Sequence, residues 1–380
     1  MRKLKEITVY TDGDSNLIST WSNVPYFFTK TLVEQGIKVN RVNISPSSLL
    51  ERIIRRIYDR AIKLLDKQTS YNYSRSNIHN LFVRSKIKKA HQKYISADAD
   101  LFLTFSFSSR GLSRKVIIQF GDWTYDHYLK KLLRRFPDNL EINAIRREAD
   151  AIRSADLIFP LFPSVAESMQ SDFKGKEIYY LGNVINCYDE TKSEDLNLKY
   201  KNQTLLFIGS EKYMDGAQTL IKAFTNLKRS LPDLKLEIIG ISSNCFDTLP
   251  QDVFCYGYLD KAIEEDRLKY YMILREATVF VNTTPIWGAF SASIEAMYFF
   301  TPVIVTPYSE FTKTFGQNIK FGSYCLKNEI DLIEMNILGI LSNPDYKSLC
   351  TNARFSVEEF TWSSYVEKAR YKIQEKLDSY

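Results

Sequence analysis

Short apolar runs alternate along this chain with longer stretches whose apolar positions recur every three or four residues. The short runs predict strands at residues 7–11, 39–44, 101–105, 116–120, 157–161 and 178–181, and again at 205–208, 236–239, 253–256, 279–282 and 303–306. Helical spacing predicts helices that include 25–35, 141–154, 217–230, 263–276, 291–300, 329–341 and 363–376. Strand–helix alternation of this kind implies an α/β protein whose parallel sheets are covered on both faces. The one convincing polar break is DETKSEDLNLKYKN, residues 189–202. The pattern therefore predicts two Rossmann-like, doubly wound domains, 1–188 and 203–362, joined by that linker. A last helix, 363–380, follows FTW at 360–362 and is expected to cross back to the first domain.

Within this pattern VFVNTTPIWGAFSASIEAMYFFTPVIVTP, from Val279 to Pro307, carries the most chemistry. It reads as strand, loop, helix and strand, with the helix opening near Phe290 and Glu295 on its second turn. That order puts a helix N-terminus, with free N–H groups and the positive end of its dipole, at the carboxyl edge of a parallel sheet. Phosphate binds at such an edge, and a carboxylate one turn on can hold a ribose hydroxyl pair. A nucleotide or a nucleotide sugar is the ligand this implies.

Composition narrows the compartment and the chemistry. Hydrophobic residues make up 44% of the 380, including 24 Tyr and 24 Phe, enough for two substantial cores. No run approaches the roughly 18 apolar residues of a membrane span, and the opening MRKLKEITVY leads into a strand rather than a signal peptide. Five scattered Cys without a CxxC pair point to a reducing, cytoplasmic setting and away from disulfides or zinc. Three His make a His-based metal centre improbable, so no metal or other cofactor is expected.

The net charge of +6 is uneven: residues 1–186 carry 30 basic and 19 acidic side chains, and 12 of the basic ones lie in 46–93 against three acidic. There Leu50, Ile53, Ile54, Ile57, Ala61, Leu64 and Leu65 recur at helical spacing among Arg52, Arg55, Arg56 and Arg60. Two readings stand: a core-packed helix pair with a solvated basic face, or a docking face for anionic lipid or a polyanionic acceptor. Nucleic acid is not the expected partner, because no aromatic-interleaved binding module accompanies the charge.

Several segments together resemble another known pattern. LLFIGSEKYMDGAQTLIKAFTNLKRSLPDLKLEIIG (205–240), YGYLDK (256–261) and the 279–307 stretch are similar to the C-terminal half of GT-B glycosyltransferases of the retaining family 4 type. READAIRSADLIFPLFPSVAESMQSDF, YYLGNVIN, FGDWTYDHY and FTW resemble segments of the same family in the same order, so the likeness covers nearly the whole chain. It implies a GT-B fold and a metal-independent transfer of sugar, with retention, from a nucleoside-diphosphate sugar to a glycan or lipid-linked acceptor. With that likeness, the basic segment 46–93 supports a role in surface-polysaccharide or glycan assembly at the inner face of a membrane.

Carried over position by position, the likeness is incomplete. Gly209 and Gly216 match the family's G-R-x4-K-G turn, but Ser210 stands at its Arg and Asp215 at its Lys, leaving Lys212 as the loop's own cation. Gly240, Tyr258 and Leu259 fall beside the donor, as do Phe290, Ser291 and Ala292 at the helix opening. Glu295 matches the carboxylate that holds the donor ribose, whereas Trp287 replaces the carboxylate eight positions earlier. Glu310 lies near a Gly-Gly-x-x-Glu loop whose glycines are absent.

On the acceptor side the likeness places Asp12, Gly13, Asp14 and Trp21 after the first strand, and His127, read as a helix-surface residue, near Asp122. Asp122 is the catalytic candidate, with Gly121 where the family has His; it either orients or deprotonates an acceptor hydroxyl, or caps the helix that follows. The departures at 210, 215 and 287 leave two other readings open. One is a GT-B transferase with a dTDP- or CMP-activated donor; the other is a catalytically silent GT-B binding protein.

Overall fold

The computed structural model describes residues 3–379 apart from 47, 66–67, 113–114, 189–190, 192–195, 197–198, 200–201 and 285–288. The chain divides into two units, residues 1–183 with 362–380 and residues 184–361. The first is built on β1 (Glu6–Thr11), β2 (Lys38–Asn43), β3 (Ala99–Phe102), β4 (Val116–Gly121), β5 (Leu157–Pro160) and β6 (Glu177–Ile178). Every pairing is parallel, in the order β2-β1-β3-β4-β5-β6. All six residues of β4 are buried, as a strand covered on both faces requires. The helix Trp362–Asp378 belongs to this unit: Trp362 packs 5.4 Å from Phe28 and Tyr365 5.7 Å from Phe120, ring centre to ring centre.

The second unit repeats the plan with β7 (Thr204–Ile208), β8 (Lys235–Ile239), β9 (Val253–Cys255), β10 (Val279–Asn282), β11 (Val303–Val305) and β12 (Gly322–Tyr324). Its order, β12-β11-β10-β7-β8-β9, is again all parallel. Two six-stranded parallel sheets flanked by helices match the expected GT-B architecture. The apolar pattern misses β12, because Gly-Ser-Tyr has no run to read. A Cβ at Gly322 would stand 2.0 Å from the Val303 carbonyl oxygen, so close approach rather than hydrophobicity selects that residue. The strand expected over 178–181 shrinks to the pair Glu177–Ile178.

Most of the expected linker, 189–202, lies outside the described residues. Lys199 within it is 1% exposed and donates to the carbonyls of Leu274 (3.1 Å), Arg275 (3.2 Å) and Ala277 (2.9 Å) and to Thr301 Oγ1 (2.8 Å). It thus closes the C-terminal end of the helix Glu264–Glu276, where a cation meets the negative end of the dipole.

In the basic region the two expected helices are Leu49–Leu65 and Asn77–Lys93. The apolar stripe of the first does not pack on the core as one reading supposed: Leu50, Ile53 and Ile57 are exposed while Glu51 and Ile62 are buried. On the inward side the Glu51 carboxylate is drawn to Lys86 Nζ (3.2 Å) and towards His79 Nδ1 (3.9 Å), and Tyr58 and Ile62 pack with Tyr71. Among the described residues no helix is long and apolar enough to cross a membrane, and all five cysteines are free.

One buried carboxylate ties the first unit's loops to its helices. Glu141 accepts from Arg135 Nη1 (2.7 Å) and Nη2 (2.6 Å), from the backbone N–H of Asp138 (2.9 Å) and from the N–H (2.9 Å) and Oγ (2.8 Å) of Ser70. With Asp138 it also forms the capping box of the helix Asn139–Ser154. Burial by itself would raise its pKa; Arg135 and the N–H donors outweigh burial and hold it well below the usual carboxylate range. A depressed carboxylate adds stability that is complete above its unfolded pKa, about 4.3, and is lost as pH falls towards the folded value. Glu141→Gln is therefore expected to cost about 3 kcal/mol in denaturant unfolding at neutral pH. The penalty should shrink as the medium is acidified below about pH 4, and an unchanged unfolding midpoint at pH 7 would contradict this role.

Candidate functional site

In the second sheet β7 is continued on one side by β8 and β9 and on the other by β10 to β12, so the chain changes direction between β7 and β10. Crevices at the carboxyl ends of strands open at such a switch. Gly209 follows β7, Gly240 follows β8 and Gly257 follows β9, and their backbones are laced together. Gly209 N donates to Ile239 O (3.0 Å), Gly240 N to Gly257 O (2.7 Å) and Gly257 N to Ile241 O (3.1 Å). Gly240 has φ +96°, and a Cβ there would lie 2.5 Å from Gly209 O. At Gly216 a Cβ would meet Thr284 Oγ1 at 2.3 Å, so glycine lets the helix Met214–Leu227 close on the loop after β10.

Around this edge sit the residues expected to hold a donor. Ser210 and Lys212 are exposed in the turn between β7 and the helix, Leu259 is buried, and Tyr258 is exposed. The helix Ala289–Tyr298 opens at Ala289, next to the expected Phe290, which is buried; Ser291 is exposed and Ala292 half-buried. Trp287, on the stretch leading into that helix, lies outside the described residues. Asp215, at the family's lysine position, is exposed in the first helical turn, and Glu310 is buried in the helix Ser309–Phe315.

Glu295 is not the surface carboxylate that a helix position alone suggests. It is buried, Oε1 accepts from Lys261 Nζ at 2.5 Å and Oε2 from Tyr270 Oη at 2.8 Å. Lys261 also lies over the Tyr270 ring, 4.1 Å from its centre, and donates to Asn186 O at 3.4 Å. Burial and the adjacent Glu295 charge raise the Tyr270 pKa well above its ordinary value, so the phenol keeps its proton and donates. A carboxylate has about four acceptor positions, and these two bonds leave acceptor capacity on both oxygens. Neither Lys261 nor Tyr270 was singled out by sequence. Lys261 ends the YGYLDK segment, where nothing in the sequence ties it to Glu295, and Tyr270 looks like any apolar-face residue of its helix.

In the first unit the loop after β1 is tightly wound. Asp12 is exposed; Gly13, at φ +109°, receives a 2.6 Å bond at its carbonyl from Thr11 Oγ1; Asp14 Oδ1 accepts from Asn16 N at 2.9 Å. Among the described residues no three His, Cys, Asp or Glu side chains form a metal-holding group. Three consecutive residues, Trp21 (φ 38°), Ser22 (52°) and Asn23 (73°), are in the left-handed region. Each non-glycine residue held there costs about 1–3 kcal/mol, a strain that persists where surrounding structure over-determines the conformation.

That conformation brings Trp21 onto β4. Its ring meets Phe120 edge-on at 5.8 Å and its side chain hydrogen-bonds Asp122. Asp122 also accepts from Trp123 N at 2.8 Å. Burial, the larger effect, raises the Asp122 pKa against those hydrogen bonds. The alternative use of Asp122 as a helix cap is not what the structure shows: the cap of the short turn Tyr125–His127 is Thr124, whose Oγ1 accepts from His127 N at 3.2 Å. His127 is likewise not on a helix surface. It is buried, stacked 5.2 Å from Trp123, which in turn stacks 4.7 Å from Phe162. Burial lowers its pKa, with Lys131 acting in the same direction, which favours the neutral ring.

Residues 189–355 match the family described as glycosyl transferases group 1. No curated protein matches the chain. Among solved structures, a sucrose-phosphate synthase from Thermosynechococcus elongatus is similar over 99% of this chain and 100% of its own, at 15% identity and a TM-score of 0.69. HepE of Anabaena, solved with UDP and glucose, covers 99% and 100% at 14% identity and a TM-score of 0.58. TarM of S. aureus, solved with Fondaparinux, alpha-GlcNAc-glycerol and UDP, is similar over 77% of this chain and 59% of its own, at 15% identity and a TM-score of 0.55. At these identities the likeness is one of fold, GT-B, and the match to glycosyl transferases group 1 over residues 189–355 places a glycosyltransferase domain in the second unit.

Proposed function

We propose that the protein moves a sugar, with retention at the anomeric carbon and without a metal, from a nucleoside-diphosphate donor to a glycan or lipid-linked acceptor in surface-polysaccharide or glycan assembly. The observation that carries the donor reading is the glycine-laced carboxyl edge of β7, β8 and β9 beside the Lys261–Glu295–Tyr270 group. Glycine keeps side chains out of these turns, whose own N–H groups are taken up by neighbouring carbonyls, so a diphosphate lying over them faces the first-turn N–H groups of the helix Ala289–Tyr298. The N–H groups at Phe290, Ser291 and Ala292, with Lys212, stabilise the leaving diphosphate. One well-placed donor of this kind contributes about 3–4 kcal/mol to the transition state. Glu295, held by Lys261 and Tyr270, accepts the ribose hydroxyls. Asp122, steadied by Trp21, orients and deprotonates the acceptor hydroxyl.

UDP is the first nucleotide to test, because two of the similar structures were solved with it. A second reading, a dTDP- or CMP-activated donor, is favoured by the acidic side chain of Asp215 in the helical turn where the family carries a lysine. Calorimetric titration with UDP, GDP, dTDP and CMP separates the two. Glu295→Gln and Lys261→Met are expected to weaken binding of the preferred nucleotide by about 10- to 100-fold, the range for losing a charge-assisted bond. Unchanged affinity in both variants would remove Glu295 from the site.

Asp122 gives a separate prediction. Asp122→Asn should abolish transfer while leaving nucleotide affinity intact. In the wild type the base must be ionised, and its pKa is raised by burial. The acid limb of kcat/KM is therefore expected above the ordinary Asp value of about 3.9. Full transfer by the Asn variant would contradict the assignment.

A further inference from the structure

The helix Leu49–Leu65 turns its apolar side away from the protein. Leu49 is 75% exposed, Leu50 63%, Ile53 45%, Ile57 64% and Leu64 84%. At 3.6 residues per turn these five fall within an arc of roughly 100°. Arg52, Arg56, Arg60 and Lys63 are all exposed and run along one edge of that arc. The side facing the protein mixes apolar and polar groups, with the Tyr58 ring packed 6.4 Å from Tyr71 and 6.0 Å from Tyr73, centre to centre. Glu51, 2% exposed, is bonded to Lys86; Asp59 Oδ1 accepts from Tyr73 N at 2.7 Å; Ile62 is the aliphatic residue that is buried there. A solvated stripe of Leu and Ile is costly in water, yet here it is held outward because Glu51, Asp59, Tyr58 and Ile62 on the other side are all engaged with the protein.

We infer that this face is the docking surface for an anionic lipid bilayer. A helix with aliphatic residues on one face and Arg and Lys beside them lies in the plane of a membrane interface. The aliphatics enter the acyl boundary and the cations meet lipid phosphates. Charge decides against a second copy of the chain as the occupant, because pairing two such faces brings Arg52, Arg56 and Arg60 of both copies together. Arg52, Arg56 and Arg60 have no carboxylate partner among the described residues, whereas Arg55, off the stripe, lies 3.7 Å from Asp59. The inference does not depend on the donor nucleotide or on the acceptor.

The test is co-sedimentation of the full chain with vesicles of phosphatidylcholine mixed with phosphatidylglycerol, and with vesicles of phosphatidylcholine alone. The wild type should pellet with the anionic vesicles, and added salt should weaken that binding. Ile53→Ser with Ile57→Ser, and separately Arg52→Glu with Arg56→Glu and Arg60→Glu, should each weaken it roughly tenfold or more. Every one of these positions is exposed, so the unfolding temperature should hold; if one variant loses its fold, the other decides. Equal pelleting with both vesicle types, or undiminished binding by the folded variants, would overturn the proposal. So would a dimer in sedimentation equilibrium that the Ile53→Ser, Ile57→Ser variant dissolves, since a second copy would then be the occupant.

Discussion

Burying a carboxylate costs several kcal/mol unless a counter-charge and hydrogen bonds replace its water, and Glu295 imposes that condition on the second unit. Its two oxygens are met by Lys261 and Tyr270. Lys261 belongs to the connection after β9, Tyr270 to the helix Glu264–Glu276 and Glu295 to the helix after β10. Satisfying one charge therefore ties two connections together, β9 to β10 and β10 to β11. The aromatic rings of Tyr270 and Tyr271 shield the ammonium, and the proton stays on the Tyr270 phenol. A carboxylate held this way needs no further ordering to accept the ribose proposed for it, which is the structural meaning of preorganisation.

The first unit solves a similar problem differently. Its interior charge, Glu141, is neutralised by Arg135 and by backbone N–H groups, and serves architecture rather than chemistry. Its candidate chemistry rests on strain: Trp21, Ser22 and Asn23 remain in the left-handed region because Thr20 Oγ1 bonds Asp14 O at 2.7 Å and Asn23 Nδ2 bonds Ile18 O. The strain places an indole against Phe120 and Asp122. Glu51, another buried carboxylate, is drawn to Lys86 on the inward side of the helix Leu49–Leu65, where Tyr58 and Ile62 also pack, and the opposite, aliphatic side is left exposed.

The fold was legible because buried parallel strands are written as uninterrupted apolar runs: β10 falls where its run does, and β7, β8 and β11 begin or end within a residue of theirs. What escaped had no such signature. Gly322–Tyr324 pairs through a close backbone approach, and the burial of Lys199 depends on carbonyls distant in sequence. At the proposed site, Gly209 and Gly216 came from the family resemblance, and Glu295 from that resemblance and its place on the helix after β10. Lys261 and Tyr270 were not legible, because their role is set by a contact across 34 and 25 residues. The apolar stripe of Leu49–Leu65 was legible as a stripe, but periodicity does not say which way a stripe faces.

The central claim is that a nucleoside diphosphate sits on the carboxyl edge of the second sheet beside the Lys261–Glu295–Tyr270 group. Hydrogen exchange of the full chain, measured by mass spectrometry with and without saturating UDP, tests it most directly. Bound UDP should slow exchange at residues 209–216, 257–261 and 289–296, the turns and helix opening that line this edge. Slowed exchange confined to other parts of the second unit, with these three stretches unchanged, would contradict it.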